Sequence, residues 1–470
     1  MRKLFIFFLL ISSSFFSESS TVILCENVEY AGRKLDFFQY SDPIAKTNEL
    51  AFSLEFNEQG KCNLAVNNKT TSYVFCDFGI YRGLLFLVPG ETIELRLPPI
   101  REKSFAEEKN PFFSPVAFWF STKNDEQLNN QIANFSQQLN KLTDKFFNQL
   151  YFRQSKEIYD SIVFLLDKEF AENQSETFVF HKKLKLKKIE AEAFRQKPEQ
   201  YSKLFSDVTY QFWLHPSFLD FFDKTFTGQL SFEAKSIKGK DIRTAVNSSN
   251  ISFLRNFVKT RYQISGGMVD LVLLKLLHDA FYSGDFSKIS ILKMLELELF
   301  TNNPNIIIKR SAYKIASKLT HLQKGTLAPP ICLKEVGGQQ FCTDKTIDKF
   351  KYIVFADTEM IVCREQLKSL VKIEQRFQKY LDIYIVLRKT DFDEMNKFLN
   401  ESKIVGIKLI DENSEFINKY KIKSFPQCYL LDENHKVEFI SAKAPIEGFE
   451  QQFGSFIQRE LFERQRNQSR

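Results

Sequence analysis

The sequence is poor in the residues that staple or punctuate a chain: seven cysteines, 16 glycines, 13 prolines and two tryptophans in 470 residues. So few cysteines exclude a scaffold built on disulfides at this length, and their odd number leaves at least one thiol unpaired within a monomer. No long block of Lys or Arg with interleaved aromatics occurs, and 65 basic against 58 acidic residues leave a net charge of only +7. A nucleic-acid partner is therefore not expected. There is no Gly-rich phosphate loop, no Gly-x-Ser-x-Gly and no His-Glu-x-x-His. His181, His215, His278, His321 and His435 stand apart from one another and from any Cys or carboxylate at ligand spacing, so no metal and no cofactor is expected. Past the first residues no stretch is apolar enough to span a bilayer, which needs about 18 apolar residues, so no transmembrane anchor is expected.

Phenylalanine is abundant, with 51 residues, and a chain of this length exceeds what one hydrophobic core usually supports. Arg2 and Lys3 precede an uncharged apolar run from Leu4 to Phe16, followed by Ser17, Glu18, Ser19 and Ser20. This pattern predicts a secretory signal peptide over 1–20 and an extracytoplasmic location. The cysteine usage fits that compartment. Cys62 and Cys76 flank the turn-like stretch Asn67 to Thr71, and Cys332 and Cys342 flank Gly337-Gly338, so each pair could face across a β-hairpin as a disulfide. Ordinary buried thiols are an equal alternative for both pairs.

Three zones follow the signal. Over 21–102, short apolar runs with period-two alternation (Glu49 to Phe56, Ser72 to Cys76, Leu84 to Val88, Thr92 to Leu97) predict strands of a small β-sandwich. Val88-Pro89-Gly90-Glu91 reads as a type II turn. Over 103–323, apolar residues at three-to-four spacing predict helices at Asn129 to Leu150, Ser155 to Asn173, Phe180 to Arg195, Gly267 to Ser283 and Ser287 to Leu299, an all-α region. Over 324–470, a hairpin is followed by a strand at Tyr352 to Ala356, a helix at Val362 to Leu381, a strand at Ile383 to Leu387 and a short helix at Phe392 to Asn400. Two strands at Cys428 to Leu431 and Val437 to Ile440 and a closing helix at Ile446 to Leu461 complete the zone. That order predicts an α/β domain whose mixed sheet has a parallel half and a C-terminal hairpin. The whole is a multidomain α+β chain.

Several fixed features of the last zone resemble the thioredoxin-like family, and within it the extracytoplasmic TlpA and ResA type. Lys324-Gly-Thr-Leu-Ala-Pro329 resembles the family's lead-in, Ile353-Val-Phe-Ala-Asp-Thr358 its first central strand, and Cys363-Arg-Glu-Gln-Leu367 the start of its motif helix. Ser424-Phe425-Pro426 stands where the family keeps a cis-proline, followed by Tyr429-Leu-Leu-Asp432. The resemblance implies a thiol-disulfide exchange fold in the periplasm or cell envelope. It places Thr358, Glu359, Phe425 and Pro426 on the peptide-binding face.

The chain departs from the family at the reacting atoms. In the Cys-x-x-Cys motif, the first cysteine sits at a helix N-terminus that stabilises its thiolate. Here the four residues are Met360-Ile361-Val362-Cys363, so Met holds the nucleophile position and only the resolving-type cysteine remains. A thioether cannot exchange disulfides. The expected function is therefore redox-impaired binding of a protein or peptide partner. The alternative is a thiol-disulfide oxidoreductase or peroxide-handling enzyme working through Cys363, with Cys428 as its second thiol. The peroxiredoxin pattern Thr-x-x-Cys is not met, because Thr358 stands too far before Cys363.

Overall fold

In the strand Ser20–Glu26 (β1), Thr21, Ile23 and Cys25 are buried and their neighbours are not, because successive side chains of a strand point to opposite faces. The same alternation runs through Thr92–Arg96 (β7), where Ile93 and Leu95 are buried. The other strands of this zone are Lys34–Tyr40 (β2), Asn48–Glu55 (β3), Lys61–Asn67 (β4), Ser72–Phe78 (β5), Tyr81–Leu87 (β6), Val116–Trp119 (β8) and Ser121–Thr122 (β9). They form two sheets, ordered β4-β1-β7-β9 and β3-β2-β5-β6-β8. Ile23, Phe37, Leu54, Val74, Leu85, Ile93 and Phe120, drawn from both sheets, share one core. Gly83 makes room for it: a Cβ there would stand 2.2 Å from the Phe120 ring. The Val88 to Glu91 turn is closed by Glu91 N–H donating to the Val88 carbonyl at 3.2 Å, with Gly90 at φ 80°.

This is a computed structural model, and it describes residues 20–236, 239–345 and 349–468; the expected signal peptide, apart from Ser20, lies outside the described residues. The chain divides into two compact units: one runs to Ser104 and resumes over Ser114–Lys318, the other joins Phe105–Phe113 to the chain from Leu319 onward. No helix among the described residues is long and apolar enough to cross a membrane.

Helices of the first unit include Leu128–Lys145, Lys156–Glu169, Glu176–Ala193, Pro216–Phe226, Ile251–Tyr262, Gly267–Ser283 and Ile306–Thr320. The Asn129 side chain ties the first of them to β6, accepting from the Phe86 N–H at 2.7 Å and donating to the Phe86 carbonyl at 2.9 Å. Residues 116–122, expected in the helical zone, are strands that extend both sheets. They are too short to show a period, and β8 is held by parallel pairing with β6. Periodicity also missed Pro216–Phe226, where Phe218, Leu219, Phe221, Phe222 and Phe226 are all buried.

In the second unit the strands are Cys332–Glu335 (β10), Gln340–Cys342 (β11), Phe350–Ala356 (β12), Leu381–Arg388 (β13), Ile407–Asp411 (β14), Gln427–Leu431 (β15) and Val437–Ala442 (β16). Their order is β11-β10-β14-β13-β12-β15-β16. β12, β13 and β14 are parallel, and β15 runs antiparallel to β12. β12 is buried at all seven positions. Tyr352, Val354 and Ala356 enter one core, Ile353 and Phe355 another. β14 has no clear signal in the sequence, because the charged Lys408 and Asp411 dilute a run of three apolar residues; its pairing with β13 and β10 decides its state. The helix expected over Val362 to Leu381 is two helices, Ile361–Lys368 and Leu370–Phe377, parted at Ser369.

Two buried histidines give the first unit a pH dependence. His181 Nδ1 lies 2.9 Å from Ser217 Oγ, and His215 Nδ1 accepts from the Ser217 N–H at 3.1 Å. Burial pushes both imidazoles down, His215 to about 3, with Lys185 repelling either cation. The unfolded chain therefore takes up protons below about pH 6.5 that the folded unit refuses, so stability present above that pH is lost as pH falls toward 3. Both tryptophans, Trp119 and Trp213, lie in this unit and report its unfolding by fluorescence. From pH 7 to pH 5 the unfolding free energy is expected to drop by roughly 2 kcal/mol through His215, with His181 acting in the same direction. In His215→Asn the drop should shrink; an unchanged slope in that variant would refute the assignment.

Candidate functional site

The end of β12 delivers the candidate site. Asp357 and Thr358, just beyond Ala356, are buried. Asp357 Oδ1 accepts from the Glu359 N–H at 3.0 Å and the Asp357 carbonyl accepts from the Met360 N–H at 3.1 Å. This tight turn aims the chain into the helix Ile361–Lys368, with Met360 as its extended N-cap residue at φ −88°, ψ 121° and no side-chain cap. The Met360 side chain packs against the core cluster that contains Cys363 and Cys428. Ile361 is 78% and Val362 46% exposed, so the surface at the helix start is apolar.

Cys363 lies one turn into the helix with no solvent exposure. Burial pushes its thiol up to about 11; the Asp357 backbone and the Lys109 charge pull against that, and the Asp357 charge adds to it. Cys428, on β15, is also buried, and burial lifts its thiol to about 12 despite a hydrogen bond with the Tyr352 hydroxyl. Both cysteines are free thiols. The Phe425-Pro426 peptide bond is cis, and Phe425 packs against both cores of the unit. Thr358 Oγ1 lies 3.2 Å from Thr390 Oγ1.

Met360, Cys363, Thr358, Glu359, Phe425, Pro426 and Cys428 are the residues the sequence points to. The charged group behind them has no such signal. Asp357 has no exposure, and its carboxylate meets Lys109 Nζ at 2.6 Å and Arg388 at 3.3 Å. Lys109 also reaches Glu359 at 2.6 Å, and Arg388 pairs with Glu108. Lys109 and Glu108 belong to the short helix Phe105–Lys109, some 250 positions earlier in the chain. Local sequence carries no signal for such a distant partner.

The cysteine pairs fall out differently. Cys332 and Cys342 stand directly opposite on β10 and β11 and are joined by a disulfide. The proposed Cys62 and Cys76 pairing is corrected. Cys62 on β4 faces Cys25 on β1, whereas Cys76 on β5 faces Phe37 and Gly83 in the other sheet. The intervening stretch passes from one sheet to the other instead of closing a hairpin.

The second unit has a thioredoxin-like fold: three parallel strands continued by an antiparallel pair, a helix following the central strand, and a cis-proline before β15. Among solved structures, similarity is found to a thioredoxin domain of a thiol-disulfide oxidoreductase of Bacteroides vulgatus, at 19% identity over 28% of this chain and 95% of that one, with a TM-score of 0.26. A thiol:disulfide interchange protein of a Bacteroides species is 20% identical over 27% of this chain and 86% of that one, TM-score 0.25. A secreted disulfide oxidoreductase of Mycobacterium tuberculosis is 13% identical over 25% and 91%, TM-score 0.23. No family model and no curated protein matches the chain.

Breaking a buried ion pair by removing one partner strands the other charge. Lys109→Met is therefore expected to destabilise the second unit by about 3 kcal/mol, since Arg388 still meets Asp357. Glu108→Gln removes a half-exposed partner and should cost less than about 1 kcal/mol. Urea unfolding followed by near-ultraviolet circular dichroism compares the two; equal costs would refute the ranking.

Proposed function

We propose that this chain is a secreted, extracytoplasmic protein of the bacterial envelope, in which a β-sandwich and a helical region accompany a redox-impaired thioredoxin-like domain that binds an extended peptide or protein partner. The observation that carries this reading is the pair Met360 and Cys363. A thioether occupies the helix N-cap where a nucleophile needs the dipole, and the remaining thiol is buried and held near 11, so it is protonated at neutral pH. The apolar surface of Ile361 and Val362 and the cis Phe425-Pro426 segment support a binding role, in which a partner strand pairs through its main chain and seats apolar side chains.

The test is reduction of insulin disulfides with dithiothreitol as electron donor. Wild type and Cys363→Ser should both match the rate of the reductant alone. Met360→Cys rebuilds the motif and should accelerate reduction roughly tenfold or more, because the helix start then carries an activated thiol. In parallel, fluorescence anisotropy with a labelled, unstructured polypeptide should register binding to wild type that Phe425→Asp weakens. Turnover by wild type that disappears in Cys363→Ser would overturn the redox-impaired reading in favour of an oxidoreductase working through Cys363 and Cys428.

A further inference from the structure

A second thiol pair lies in the first unit. Cys25 of β1 and Cys62 of β4 are direct cross-strand partners, and both are free thiols. Residues so opposed have Cα atoms about 4.5 to 5.5 Å apart, within the roughly 4.4–6.8 Å span of a disulfide. Cys332 and Cys342 hold the same register relation on β10 and β11, and there the sulfurs are bonded.

The two thiols differ in access. β4 is the edge of its sheet and Cys62 is half-buried, whereas Cys25 is buried in the core. Both line an open groove of about 610 Å³ that also presents Lys61, Arg96 and Lys123 beside Glu26 and Glu94. Lys61 pairs with Glu26 and Lys123 with Glu94, each at 2.9 Å, and mixed charges around an accessible thiol suit a small disulfide that carries both ammonium and carboxylate groups, such as oxidised glutathione.

We infer that Cys25 and Cys62 are a redox-active dithiol that closes to a cross-strand disulfide by exchange with a small disulfide bearing ammonium and carboxylate groups, with Cys62 as the attacking thiol and Cys25 as the resolving one. The Cys62 thiolate attacks one sulfur of R–S–S–R; the S–S bond breaks, and the first RS⁻ leaves and takes up a proton. The Cys25 thiol then loses its proton to solvent, attacks the Cys62 sulfur and displaces the second RS⁻. The dithiol is oxidised by two electrons and the small disulfide is reduced to two thiols. The hydrogen bond between the two thiols assists this division of labour, drawing Cys62 below its ordinary range and lifting Cys25 above it. Nothing in this exchange depends on Met360 or on the thioredoxin-like domain.

The full chain, reduced and freed of reductant, is incubated with oxidised glutathione, quenched in acid, alkylated and mapped by mass spectrometry without reduction. Wild type should lose the Cys25 and Cys62 thiols and yield a cross-linked Cys25–Cys62 peptide, in addition to the Cys332–Cys342 disulfide that re-forms. Cys25→Ser should retain a glutathione adduct on Cys62, and Cys62→Ser should leave residue 25 unmodified in the folded protein. Should either variant fail to fold, the wild-type time course decides, because the adduct on Cys62 must precede the cross-link. Cys62 remaining reduced, an adduct forming first on Cys25, or a bond from either to Cys76 would overturn the inference.

Discussion

The central strand Phe350–Ala356 is buried on both faces, and the thioredoxin-like unit is arranged around that demand. A strand with no solvent face needs apolar cover on each side, and here the alternate residues of β12 feed two separate cores. The same constraint fixes where the candidate site can lie. The chain leaves those cores at the strand's C-terminal end and turns there through Asp357 into the helix that carries Met360 and Cys363. Burial of the carboxylate at that turn then calls for cations, which Lys109 and Arg388 provide.

The chemistry of the site follows from what surrounds the sulfur atoms. Cys363 has the helix position of a resolving thiol but the environment of a core residue, without exposure or an accessible partner thiolate. Burial outweighs the favourable backbone and Lys109 contacts, so the thiol stays protonated at neutral pH. Met360 meets the geometric requirement of an N-cap without its polar function. At the surface of the helix start, the apolar Ile361 and Val362 stand beside the exposed Glu359.

Strand register accounts for the contrasting cysteines. Cys332 with Cys342, and Cys25 with Cys62, are each direct cross-strand partners, while Cys76 lies in a different sheet from Cys62. Spacing along the chain located the first pair, because Gly337-Gly338 closes a true hairpin. It misassigned Cys62, because residues between β4 and β5 cross between sheets while the strand opposite Cys62 lies at the start of the described chain. A turn signal states that the chain reverses. It does not state which strand it meets afterwards.

Much of the last zone was legible because its strands are short apolar runs bounded by turns and its motif residues are contiguous: Met360 through Cys363, and Phe425-Pro426, announced themselves by local order. The sequence by itself determined that a thioether stands at residue 360, and no packing converts a thioether into a thiolate. Tertiary structure alone decided the rest. It alone recruited Lys109 to Asp357, placed β14 between β10 and β13, set Cys62 against Cys25, and buried the Cys363 sulfur. Those outcomes depend on contacts between residues far apart in the chain, and local periodicity and spacing carry no information about such contacts.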